Sequence, residues 1–144
     1  MFAFSGCDNF PLTVHELDNL WQCARVLFTM PDDDVAMRCV TRKEIQSLNN
    51  KYRNKDAPTN ILTFSYDAEG DHDIAICLEV ARVEALERAI PLRDYVALLV
   101  VHGLLHVCGM DHEESEKSSI AMKEREREIL RACGFVSQAL SDVY

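Results

Sequence analysis

His102, His106 and His112 fall within the eleven residues HGLLHVCGMDH, so three of the chain's five histidines share one short window. Spread evenly, five histidines in 144 residues would put about 0.4 in such a window. His102 and His106 are four apart on a predicted helix, which stacks them on one face with about 5–6 Å between Cβ atoms, a span suited to gripping one ion. Zinc accepts neutral imidazole nitrogen at about 2.0–2.1 Å, and catalytic zinc sites use three protein ligands and keep one position open. His112 supplies the third. Gly109 sits where a helix end favours the left-handed conformation, so the chain can reverse there and bring His112 back toward the other two. One histidine alone would read as a hydrogen-bonded core residue, but three at this spacing read as a metal site. Cys108, two residues past His106, points off their helical face, so a closed structural zinc lacks its fourth donor.

The spacing of 0, +4 and +10 with glycine at +7 is similar to that of the metzincin zinc peptidases, HExxHxxGxxH. Those enzymes place a glutamate general base where this chain has Gly103, and Leu104 and Leu105 cannot move a proton. Metal binding survives this difference; peptide hydrolysis by that route does not.

A formal net charge of −9 argues against bulk, non-specific binding to nucleic acid. One stretch runs the other way. Arg42, Lys43, Lys51, Arg53 and Lys55 stand against Glu44 alone, and charge by itself leaves two readings open, a polyanion site or a solvated helix end. Within that stretch Arg53 carries a guanidinium that matches phosphate with paired donors; the plainer alternative is a surface arginine tied to a neighbouring acid.

These side chains need a frame. At 144 residues and 48% apolar, the chain is expected to form one domain over residues 1–144 with a real core. Its longest apolar region, YVALLVVHGLLHV, is too short for a membrane span, and MFAFSGCDNFPL lacks the pattern of a secretory signal, so a cytoplasmic protein with no membrane partner is expected. Six scattered cysteines without a CxxC pair read as reduced core thiols.

Thr13 with Glu16 and Thr41 with Glu44 read as capping boxes, opening one helix that runs to Phe28 and another toward Tyr52, with DVAMRCV alternating between them as a strand. RNKDAPTN is a loop, and ILTFSY and DIAIC form a hairpin-like pair about a DAEGDH turn. Helical sequence follows through EVARVEALERAI, restarts at Pro91, ends at Gly109, and resumes from Ser115 to Cys133 before Gly134. The expected fold class is α+β: a small mixed sheet packed with about five helices, the metal-binding helix lying against the sheet. Asp111 reads as a turn former, with a second role in orienting a ligand ring left open. His72 reads as a loop residue, and the alternating charges from Glu113 to Arg131 as a solvated helix face.

HGLLHVCGMDH resembles the HGxLHLxGYDH signature of the YbeY family, bacterial endoribonucleases of ribosomal RNA maturation. LNNKYRNKDAPTNILTFSY resembles that family's LNxxYRxxxxPTDVLSFP block, and DIAIC its GDIVI strand, so the similarity covers most of residues 48–112. Met110, Asn60 and His72 depart from the usual tyrosine, aspartate and glycine. The resemblance implies a mixed sheet with surrounding helices, a zinc-type ion on His102, His106 and His112, and a functional arginine at Arg53. It also implies single-strand-specific cleavage at the 16S ribosomal RNA 3′ end, a part in ribosome quality control, and ribosomal RNA and the ribosome as partners. A zinc-type ion lowers the pKa of bound water from about 15.7 toward 7, so the glutamate base is not required. Two alternatives stand beside this reading: a metal-stapled, non-catalytic ribosome-associated factor, and a zinc hydrolase of peptides or small molecules.

Overall fold

The structure, a computed structural model, describes residues 1–66, 70–110 and 116–141. Its first element, β1 (Phe2–Ser5), is absent from the sequence reading. Helix α1 (Val14–Leu27) opens on the expected box: Thr13 Oγ1 accepts from the Glu16 N–H at 3.1 Å and Glu16 accepts from the Thr13 N–H at 3.0 Å. Its apolar stripe buries Leu17, Leu20, Trp21 and Ala24. Strand β2 (Asp34–Cys39) alternates as read, with Val35 and Met37 inward, and α2 (Arg42–Arg53) carries the second complete box, from Thr41 and Glu44.

Strands β3 (Ile61–Tyr66) and β4 (Asp71–Ile76) pair antiparallel, Ile61 opposite Ile76 and Ser65 opposite His72. Part of the expected turn between them lies outside the described residues. β4 also pairs parallel with β2, and β2 with β1, which gives a mixed sheet of order β1-β2-β4-β3. Period-two alternation divides β4 between two layers. Ile74 and Ile76 enter the larger core on one face, while Ala75 and Cys77 join Val40, Ile45 and Leu62 in a smaller cluster on the other.

Helix α3 (Leu78–Glu87) gives way at Arg88 and Ala89, and α4 (Leu92–Val107) starts with Pro91 at its N-cap. Eleven of the sixteen residues of α4 are buried, so it is the central helix of the core. Gly109 ends it with φ 93°, the left-handed geometry that glycine adopts without a Cβ clash. α5 (Glu116–Ala132) buries Met122, Glu126, Ile129 and Leu130 on one stripe, and α6 (Gln138–Ser141) is a single short turn beyond Gly134. The α+β class, the mixed sheet and five full helices match expectation, and the described residues add one short helical turn, α6.

All six cysteines are free thiols. Cys77 is buried as expected of a core thiol, but Cys7 is exposed, and Cys23 and Cys133 meet with their sulfurs 3.3 Å apart, joining α1 to the chain just past α5. Among the described residues no single helix is long and apolar enough to cross a membrane.

Candidate metal centre

Helical spacing does to His102 and His106 what the sequence predicts. Their Nε2 atoms lie 3.2 Å apart, with ring planes at 78°. Two imidazole nitrogens bound to one tetrahedral zinc, each at about 2.0–2.1 Å, would be separated by about 3.3 Å. The pair therefore already has the spacing of two vertices of such a site.

The other nitrogen of His102 explains its orientation. His102 Nδ1 donates to Glu126 Oε1 at 2.6 Å, and that carboxylate is itself buried. A metal-ligating histidine characteristically gives its second N–H to a carboxylate, which fixes the tautomer and turns the other nitrogen's lone pair outward. Glu126 is the site residue that the sequence reading missed, because it was counted among the charges of a solvated face. A signal was present: Glu126 lies four residues after Met122, three before Ile129 and four before Leu130, on the apolar stripe of α5.

His112 and Asp111 lie outside the described residues, so the expected third ligand has no described position. Among the described residues, no group of three or more histidine, cysteine, aspartate or glutamate side chains could hold a metal. The donor set still fits a zinc-type ion, since two neutral imidazoles with matched separation and one carboxylate behind them suit that metal's preference. Cys108 adds nothing to it. Burial, reinforced by the charge of Asp33, pushes its thiol up to about 12, so it stays protonated at neutral pH.

Gly103 has a mechanical reason to be glycine. A Cβ there would stand 3.1 Å from Ile61 Cδ1 and 3.4 Å from Thr63 Oγ1, so the backbone of α4 lies directly on β3. A glutamate at this position would be driven into the strand. The packing thus agrees with the loss of the peptidase base read from sequence.

Arg53 occupies the last position of α2 and is exposed. The chain leaves it through Asn54 in the left-handed conformation, and the following loop is pinned by Asn49 Nδ2 donating to the Ala57 carbonyl at 2.9 Å and Gln46 to Asp56 at 3.1 Å. Tyr52 packs edge-on against Phe64 and under Lys51, which anchors the basic stretch to β3. Among the described residues no ion pair engages Arg53.

His72 is a correction. It lies within β4, 9% exposed, with Nδ1 2.9 Å from Ser65 Oγ and Nε2 3.2 Å from Asp33 Oδ2. Parallel pairing with β2 extends β4 upstream of the DIAIC segment and draws His72 out of the expected turn.

Comparison with known proteins places the chain in a family. The family model described as Endoribonuclease YbeY matches residues 14–134. Among curated proteins, the chain is 43% identical over 105 residues to an Endoribonuclease YbeY of Burkholderia lata, across 70% of this chain and 61% of that one. It is 42% identical over 106 residues to one of Delftia acidovorans, across 72% and 70%. The chain thus spans about three fifths of the length of the Burkholderia relatives it matches. A solution structure of a Thermotoga maritima protein aligns with a TM-score of 0.63 at 28% identity, covering 92% of this chain and 89% of that one.

Proposed function

The chain belongs to the YbeY endoribonuclease family, and from that premise we propose that it cuts single-stranded RNA with the help of a zinc-type ion, in the maturation of ribosomal RNA. The observation that carries the reading is the convergence of His102 and His106, Nε2 to Nε2 at 3.2 Å, with Glu126 fixing the ring of His102 from behind. His102, His106 and His112 are the residues that would hold the ion. When bound, such an ion supplies acidified water at neutral pH and polarises a phosphoryl oxygen.

The protein's own residues do the rest. Glu126 keeps the proton of His102 on Nδ1, so Nε2 remains a ligand. Gly103 lets α4 settle on β3, which sets the histidine pair beside the strand that follows the basic loop. Arg53 brings a planar cation to neutralise charge gathering on the phosphorus centre. Ribosomal RNA and the ribosome are the partners this activity requires, and the cytoplasm its setting.

The test incubates metal-loaded protein with single-stranded RNA, duplex RNA and casein, beside His106→Ala and Arg53→Ala. Single-stranded RNA should be cut, and the other two should not. Arg53→Ala should lose turnover by about 10²–10³-fold with metal content unchanged. Cutting that persists in His106→Ala points to a contaminating nuclease, and ribosome binding without any cutting supports the non-catalytic factor instead.

A further inference from the structure

Beside the histidine pair, the groove between α4 and α5 opens into a cavity of about 340 Å³. We propose that this cavity seats one unstacked nucleotide of the RNA strand, adjacent to the bond that is cut, with Arg88 and Lys123 taking phosphate and the groove floor taking the base. This assignment rests on the endoribonuclease reading and names the part of the substrate that the metal centre does not hold.

Size comes first. A volume of about 340 Å³ is at the small end of ligand sites, enough for a single nucleotide and too little for a duplex or a folded partner. Its floor is apolar, formed by Leu98, Leu99 and Met122, which suits the face of a base. His102 and Glu126 are part of its lining, so whatever fills it lies next to the proposed reaction centre.

The polar groups select further. Asn60 Nδ2 donates to Glu84 Oε1 at 2.9 Å, and the Tyr95 hydroxyl donates to the same oxygen at 3.1 Å. The Tyr95 hydroxyl proton and one Asn60 N–H are thereby committed to Glu84. The Asn60 amide also donates to the Tyr95 oxygen, so Asn60 Oδ1 is the acceptor left in the lining, and every nucleobase edge carries an N–H to meet it. Burial and the nearby charge of Glu84 push the Tyr95 phenol above its ordinary range, so it stays a neutral hydroxyl.

Charge is the most selective feature. The chain carries −9 overall, yet this cavity has two exposed cations on its wall. Arg88 lies over the Tyr95 ring at 5.6 Å, and among the described residues no ion pair engages either Arg88 or Lys123. Two exposed cations, with no ion pair among the described residues and against the single buried carboxylate of Glu126, around an apolar floor match a nucleotide, with phosphate outside and base inside. A base held within a duplex cannot enter, so the same cavity accounts for a preference for single strands.

The experiment measures binding of a short labelled single-stranded oligoribonucleotide to the full chain by fluorescence anisotropy across a salt series, with metal content recorded for every variant. Arg88→Gln with Lys123→Gln should raise Kd about tenfold and flatten the slope of log K against log salt by about 1.4, or 0.7 for each lost cation, with metal content unchanged. Lys123→Gln alone should give half that change in slope. Arg125→Gln, on the same helix but paired with Glu128 and outside the cavity, should leave binding as it was. Wild-type binding with an unaltered double variant, or equal losses in Arg125→Gln, overturns the cavity assignment and leaves the endoribonuclease reading standing. A wild-type chain without affinity for single-stranded RNA removes both.

Discussion

Two histidines of this protein each lean on a carboxylate, and they are built for opposite ends. His102 gives one nitrogen to Glu126 and faces the nitrogen of a second imidazole with the other; His72 gives one to Asp33 and has a serine hydroxyl at the other. Nε2–H donates to Asp33, and the Ser65 hydroxyl can donate or accept at Nδ1, so the protein itself satisfies both ring nitrogens of His72. Two facing imidazole nitrogens have no such freedom, since two lone pairs repel unless one nitrogen carries a proton or a cation lies between them. A carboxylate beside a histidine therefore says little about its role. What stands at the second nitrogen separates a site from a strut.

Removing each histidine in turn is the sharpest way to break that comparison. His106→Ala should lower metal affinity by more than the roughly 10–100-fold typical of losing an outer hydrogen-bond partner, read as metal retained per chain after dialysis. His72→Ala should leave metal retention untouched and instead cost about 1–3 kcal/mol of stability in denaturant unfolding, because Asp33 and Ser65 lose their common partner. Metal lost from His72→Ala without unfolding would erase the distinction.

The contrast also marks how far sequence alone could reach. Both Thr-x-x-Glu helix starts were legible because a capping box closes within four residues. So was the His102–His106 pair, one helical turn apart. Everything missed depends on partners distant in the chain. β1 is four residues long and exists through its pairing with β2, Phe2 beside Val35. His72 became a strand residue because β4 follows β2 upstream as far as Asp71, and its carboxylate partner comes from 39 residues away. Glu126 is 24 residues from His102 and was hidden by the charges around it, although its place on the apolar stripe was there to be read.

A second, smaller effect tests the Glu126 side alone. Glu126→Gln keeps an oxygen that can accept from His102 Nδ1 but removes the negative charge, so metal affinity should fall toward the lower end of about 10–100-fold, and Glu126→Ala toward the upper end. Asp33→Asn, the matching change at His72, should not move it. Equal metal affinity in wild type and Glu126→Ala would reduce that carboxylate to a packing role.

The smallest expected effect lies at the other end of α4, where a third carboxylate meets a cation in the open. Glu16 pairs with Arg93 while it closes the α1 capping box, and the guanidinium's hydrogen bond, helped by the Thr13 N–H, lowers its carboxyl from 4.5 to about 2. Arg93 is 50% exposed, so solvent screens the pair and holds its worth below about 1 kcal/mol. A depressed carboxyl stabilises the fold fully above its ordinary pKa and loses that contribution as pH falls toward the folded value. Glu16→Gln keeps an acceptor for the Thr13 N–H and removes only the charge. The stability gap between wild type and Glu16→Gln should therefore stay constant from about pH 7 to about pH 5, then close toward about pH 2, with metal retention the same in both. A gap that failed to close on acidification would show that Arg93 does not hold Glu16 in solution.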